Sequence, residues 1–225
     1  MADIRKIRRR IKGVQNIAKI TRAMEMIAAS KMKKSQERGL AGRPYSEKIQ
    51  QVIADLAALS QPDAPLHPLL QRRPVNKIAV VHITPDRGLC GGLNANLNRE
   101  LSSYLLNTGK PADIVTVGKK GRDFARRSGL NCVAEFTDLG DAPAFMDTLP
   151  ISNIAIKEYT EGTTDKVVIS YARFVSTLTQ KPVMKQILPV EPAVIPGPQN
   201  VDYLYEPDAA TLDVRQAIVD DLSLI

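Results

Sequence analysis

The sequence predicts an α/β protein in two parts: a long amino-terminal helix, then a domain in which strands and helices alternate around a parallel or mixed sheet. Three observations carry this. Apolar residues recur at helical spacing from Ile4 to Leu59, as on one face of a helix. A proline-rich connector, SQPDAPLHPLLQRRP (60–74), interrupts that pattern, as linkers do. Beyond it, short β-branched runs alternate with helical stretches, the order of a sheet flanked by helices.

Within the amino-terminal part, Ile4, Ile7, Ile11, Val14, Ile17, Ile20, Met24 and Ile27 advance in steps of three and four, averaging less than 3.6. Such a stripe drifts around a straight helix, so holding it against one partner requires left-handed wrapping. Gly13 lies inside this helix, at a cost of about 1 kcal/mol relative to Ala. GLAGRPY (39–45) holds Gly39, Gly42 and Pro44 and predicts a break or kink. The pattern resumes at Tyr45, Ile49, Val52, Ile53, Leu56 and Leu59. A continuous helix of this length spans about 80 Å, which suits a coiled coil or an assembly.

In the second part, VNKIAVVHIT (75–84) reads as a strand, PDRGLCGGLN (85–94) as a turn and about 93–107 as a helix. ADIVTVG (112–118) is a second strand, and KKGRDFARRSG (119–129) a helix closed by Gly129. NCVAEFTDLG (131–140) is a third strand, 143–162 mostly helix, DKVVISYARFV (165–175) a fourth strand and KPVMKQILPV (181–190) an edge strand.

Composition narrows the function. No Trp and 4% aromatic residues argue against stacking surfaces for single-stranded nucleic acid. Residues 1–40 carry twelve Lys and Arg against three Asp and Glu, a net of +9, whereas the other 185 carry nineteen against twenty-one. The basic amino end therefore faces water or something acidic. Cys90 and Cys132 lack metal-like spacing, so a reducing compartment is expected. No apolar run reaches about 18 residues, and the amino end lacks a signal-peptide core. Membrane association is expected only through partners.

No active site emerges. DRGLCGGLN follows a strand and opens a helix, but it is neither GxGxxG nor GxxxxGK[ST], so a tight glycine turn is favoured over a phosphate cradle. Cys90 has no resolving thiol nearby in sequence, His67 lies among prolines, and His82 reads as a packed strand residue. Asp220 and Asp221 read as solvated surface. No cofactor or metal is expected. For the basic helix, composition leaves three readings open. They are a solvated face, a phosphate-tracking nucleic-acid binder, and insertion into an assembly with an acidic inner surface.

RRRIKGVQNIAKITRAMEMIAASKMKKSQERGLAGRPYSEKI, ITPDRGLCGGLNANL, YARFVSTLTQKPVMKQILPV and DYLYEPD occur in that order. Together they closely resemble the gamma subunit of bacterial F-type ATP synthases, over about residues 2–212. The resemblance implies a central rotor shaft, not an enzyme by itself and not a nucleic-acid binder. Residues 1–59 would form half of an antiparallel coiled coil with a carboxy-terminal helix. After a linker (60–74), residues 75–208 would form a Rossmann-like α/β domain with a mostly parallel sheet. Implied partners are the alpha and beta subunits of a catalytic hexamer, the epsilon subunit and the membrane ring of c subunits, on the cytoplasmic face of the bacterial inner membrane. Proton flow would turn ring and shaft, and the shaft would change the beta sites in sequence. Lys19, Arg22, Met24, Lys31, Lys33 and Lys34, with Arg87, Gly88, Leu89, Cys90, Gly91 and Gly92, correspond to the family's beta contacts. Tyr205 and Glu206 correspond to the foot on the c ring and epsilon.

One departure matters. In the family a helix of several tens of residues follows YEPD, but only seventeen residues follow Asp208 here. VRQAIVDDLSLI (214–225) resembles that helix's far end. Residues 209–225 are thus expected to be a remnant with a block missing near Asp213–Val214. The cause is either a real deletion or a stretch closed up in the numbering, the second being preferred. The thiol pair of redox-regulated chloroplast forms lies in an insertion not seen here, so no redox switch is expected.

Overall fold

A computed structural model describes residues 2–59, 68–140 and 142–190. The chain forms two compact units, Met1–Arg43 and Pro44–Ile225. Helix α1 (Ala2–Leu59) begins in the first and runs into the second. Of the break or kink expected at 39–45, the break is absent: helix continues through Gly39, Gly42 and Pro44. A proline removes one main-chain bond and crowds one carbonyl.

In the first unit α1 leaves its apolar stripe uncovered by the described residues. From Ile4 to Ile27 these side chains are 52–65% exposed. The exposed cations around them are equally unburied.

The second unit holds β1 (Ile78–Ile83), α2 (Leu93–Thr108), β2 (Ala112–Val117), α3 (Lys119–Arg127) and β3 (Asn131–Phe136). After these come α4 (Phe145–Thr160), β4 (Lys166–Ser176) and β5 (Thr179–Leu188). The five strands lie in the order β3-β2-β1-β4-β5. β1 to β4 are mutually parallel, and β5 runs antiparallel along the β4 edge. β1, β2 and the first half of β4 are buried on both faces, which explains their unbroken apolar runs.

Alternation along β1 divides the core. Ala79 and Val81 pack with Val115, Val167, Ile169 and, from α4, Ile151, Ala155 and Tyr159. Ile78 and Val80 pack on the other face with Ile114, Val168 and Leu101 of α2, joined by Phe124 of α3. The connections therefore change face between β3 and β4, and the strand order reverses between β1 and β4. In open sheets of this kind the carboxy-terminal rim at that reversal is where loops diverge.

Several strand bounds differ from expectation, among them the start of β1, which lies at Ile78. β3 stops at Phe136, because Asp138 and Gly140 adopt positive φ, 63° and 80°, which leaves the extended ladder. β5 starts at Thr179 and forms a hairpin with β4. Its two-residue turn, Thr177–Leu178, carries no Gly, Asn or Asp to announce it. A register shift between Phe174 and Ser176 takes up the mismatch.

Arg73 anchors the segment entering the sheet. Its guanidinium donates to the carbonyls of Tyr159 (2.6 Å) and Thr164, pairs with Asp165 (2.9 Å) and lies 4.4 Å from the centre of the Tyr159 ring. The Tyr159 hydroxyl donates to the Gln71 carbonyl at 2.6 Å.

Candidate functional site

Two surfaces carry the residues singled out by sequence, one in each unit. In the second unit the surface is the turn between β1 and α2. Its root is rigid. Thr84 continues the ladder past β1 by donating its N–H to the Val117 carbonyl at 2.8 Å. Its hydroxyl accepts the Gly121 N–H at 2.7 Å and donates to the Val117 carbonyl at 3.1 Å. A Cβ on Gly118, whose φ is +95°, would stand 1.9 Å from the Thr84 carbonyl oxygen. One on Gly121 would stand 2.8 Å from the Thr84 hydroxyl and 2.9 Å from the His82 ring. Glycine at these two positions lets α3 start against the end of β1.

Asp86 ties the turn to both neighbouring loops. Oδ1 accepts the N–H of Lys119, first residue of α3, at 2.9 Å, and Oδ2 accepts the N–H of Asp138 at 3.1 Å. A carboxylate at a helix N-terminus satisfies an orphan donor and meets the positive end of the dipole. The Asp138 carboxylate in turn accepts from the Lys119 ammonium at 2.6 Å. That hydrogen bond is the main reason its pKa lies below the usual value.

Beyond this root the turn opens to solvent. Arg87, Gly88, Leu89, Gly91 and Gly92 are exposed and Cys90 is half-buried. Leu89 is fully exposed at a φ of +59°, a region that costs a residue with a Cβ about 1–2 kcal/mol. Among the described residues nothing covers this apolar side chain. The Cys90 sulfur accepts from the Asn94 amide at 3.0 Å, and Gly92 caps α2, its carbonyl accepting the Asn96 N–H at 2.8 Å. Cys90 and Cys132 are both free thiols.

Behind the turn lies a cavity of about 250 Å³ whose wall includes Val81, Ile83, Thr84, Asp86, Gly118 and Asp138. The wall is mainly apolar, contains two carboxylates and has no Lys or Arg. That is a poor setting for phosphate, which needs cations or free N–H groups. No group of three His, Cys, Asp or Glu able to hold a metal occurs among the described residues. His82 is fully buried, with Nδ1 3.0 Å from the Ser170 hydroxyl and Nε2 3.0 Å from the Asn98 side-chain oxygen. Burial holds its pKa below the ordinary histidine value. It is a packed and satisfied strand residue.

In the first unit Lys19, Arg22, Met24, Lys31, Lys33 and Lys34 are all exposed. Lys33 pairs with Glu37 at 3.9 Å across one turn. At about 100° per residue, Lys19, Arg22 and Lys33 share one face and Lys34 borders it, whereas Lys31 and Met24 fall in line with the stripe. Met26, 64% exposed, sits between Arg22 and Lys33 on the cationic face. The family resemblance singles out Met24 and not Met26. Asp86 was also missed, since its partners are distant in sequence. Tyr205, Glu206, His67 and the junction near 213–214 lie outside the described residues.

Comparison with known proteins is consistent from end to end. The sequence profile of the ATP synthase family matches residues 3–222. An ATP synthase gamma chain of Dehalococcoides mccartyi is 60% identical over 212 residues, covering 94% of this chain and 74% of the relative. That of Herpetosiphon aurantiacus is 44% identical over 216 residues, covering 92% and 73%. A chain in the central stalk and c-ring structure of Tetrahymena thermophila mitochondrial ATP synthase aligns over 91% of both chains with a TM-score of 0.60 at 23% identity. That likeness bears on the fold alone.

Proposed function

The chain belongs to the gamma-subunit family of bacterial F-type ATP synthases, and from that premise we propose that it couples proton flow through the c ring to catalysis at the alpha/beta hexamer by rotating as the central stalk. It makes no covalent bonds itself; the beta subunits hold the reacting nucleotide.

One observation carries the reading: on α1 an apolar stripe of drifting register stays more than half exposed from Ile4 to Ile27. A helix that forms readily and leaves such a stripe open is half of something. In this reading a second shaft helix covers it, and the cationic face of Lys19, Arg22, Lys33 and Lys34 meets an acidic loop of beta. Met24 and Lys31 stand at the seam between the two helices and touch beta there. The turn Arg87–Gly92 is a second beta contact, and Tyr205 and Glu206 meet the c ring and epsilon. No described helix is long and apolar enough to cross a membrane, and attachment to the cytoplasmic face runs through those partners.

Reconstitution tests the reading. The chain is combined with alpha, beta and epsilon and returned to c-ring-containing vesicles, and ATP hydrolysis and proton pumping are measured together. The chain should co-purify with the hexamer and restore pumping. Pumping without it, or failure to associate with the hexamer, would sink the proposal. The nucleic-acid alternative predicts salt-sensitive DNA retention with no hexamer affinity.

A further inference from the structure

We propose that the β4–β5 hairpin is a second docking arm for an acidic protein surface, the same surface of the hexamer that the Arg87–Gly92 turn meets. The choice of that surface rests on the rotor reading; the arm's chemistry does not.

The arm is a distinct piece of the sheet. β1 pairs with β4 only as far as His82 opposite Ser170. From Tyr171 to Ser176, β4 pairs only with β5 among the described strands. Because β1 and β4 are parallel, this extension leaves the sheet at the rim where the Arg87–Gly92 turn also emerges. At its end Leu178 is 93% exposed and Val175 51%.

Charge sets the kind of partner. Arg173 and Lys181 are directly opposed in the ladder, and both are exposed. Like charges in register destabilise a strand pair. Neither has a carboxylate partner among the described residues. Residues 166–190 contain Lys166, Arg173, Lys181 and Lys185 and no Asp or Glu. An apolar tip behind a cation pair that no described carboxylate neutralises is complementary to an acidic surface with an apolar spot, and docking there relieves the repulsion.

Strand addition is a poor alternative use of this element. The outer edge of β5 carries Lys181, Pro182 and Lys185; proline lacks the N–H a new strand needs, and edge lysines discourage pairing. The arm therefore docks through its side chains.

The test titrates the full chain against alpha/beta hexamer at about 50 mM and about 300 mM salt, spanning a marked change in screening. Arg173→Glu/Lys181→Glu/Leu178→Ser should bind about 10-fold more weakly at low salt, with the difference shrinking at high salt. Should that variant lose its fold, Arg173→Gln/Lys181→Gln keeps the question open. It removes the repulsion and should unfold at a higher temperature than the parent while binding about 3-fold more weakly. Parent-like affinity of a folded arm variant at low salt would overturn the arm alone. So would arm-dependent binding to phosphatidylserine vesicles with hexamer affinity unchanged. If the unaltered chain does not bind the hexamer, the rotor reading fails and this inference with it.

Discussion

The carboxylate of Asp86 accepts the main-chain N–H of Lys119 at 2.9 Å, across 33 residues of sequence. With the second bond to Asp138, it makes the exposed turn an extension of the sheet. In the proposed rotor role such a root would let the turn carry load, because a loop held only at its ends yields.

Removing that root should be measurable. Asp86→Ala leaves two main-chain donors without their acceptor and should cost about 1–3 kcal/mol. Asp86→Asn, which keeps one carbonyl oxygen, should cost less. Urea unfolding of both variants reads the difference, and equal stability of all three proteins would count against the anchoring role.

Gly118→Ala should be far worse than Gly109→Ala. Both glycines have positive φ, but only at Gly118 would the new carbon collide with main chain, whereas nothing lies within 4 Å at Gly109. We expect about 1 kcal/mol at Gly109 and more than about 3 kcal/mol, or failure to fold, at Gly118. Thermal unfolding compares them; similar losses would contradict the close approach to Thr84.

Leu89→Gly should separate stability from function. Glycine relieves the positive-φ penalty at Leu89, so the isolated chain should gain up to about 1 kcal/mol. In the proposed beta contact the apolar side chain is lost, and hexamer affinity should fall. A variant both more stable and equally tight would show that Leu89 makes no contact.

His82 gives a pH dependence of known sign. Its folded-state pKa is depressed by burial, so the neutral ring is favoured in the native state. As pH falls through the unfolded value, near 6.5, the unfolded chain takes up the proton first, and stability declines until the folded pKa is reached. Between about pH 7.5 and 5.5 stability should therefore fall as the pH is lowered, and His82→Gln should remove that part of the fall. An identical pH slope in parent and variant urea unfolding would refute this.

Charge on the shaft should act collectively. An exposed ion pair is worth about 0–1 kcal/mol, so Lys33→Ala alone should leave pumping per ATP unchanged. Reversing Lys19, Arg22, Lys31, Lys33 and Lys34 together should lower it. Full coupling in the five-fold variant would remove the cationic face from the mechanism.

What the sequence determined by itself was everything set by local periodicity and by motif. Ile4 to Ile27 specified both a helix and its need for cover; the runs around Val80, Val115 and Ile169 specified strands; and KITRAMEM with DRGLCGG pointed to the family. The hairpin turn at Thr177–Leu178 escaped because a register shift, and no turn residue, makes it possible. Other features were decided by tertiary structure alone. Asp86 meets Lys119 and Asp138, Thr84 rests against Gly118 and Gly121, and Arg173 opposes Lys181 only once the strands lie side by side in register. Sequence spacing carries no information about pairs that distant, because the partner is chosen by which strand end arrives at the same rim.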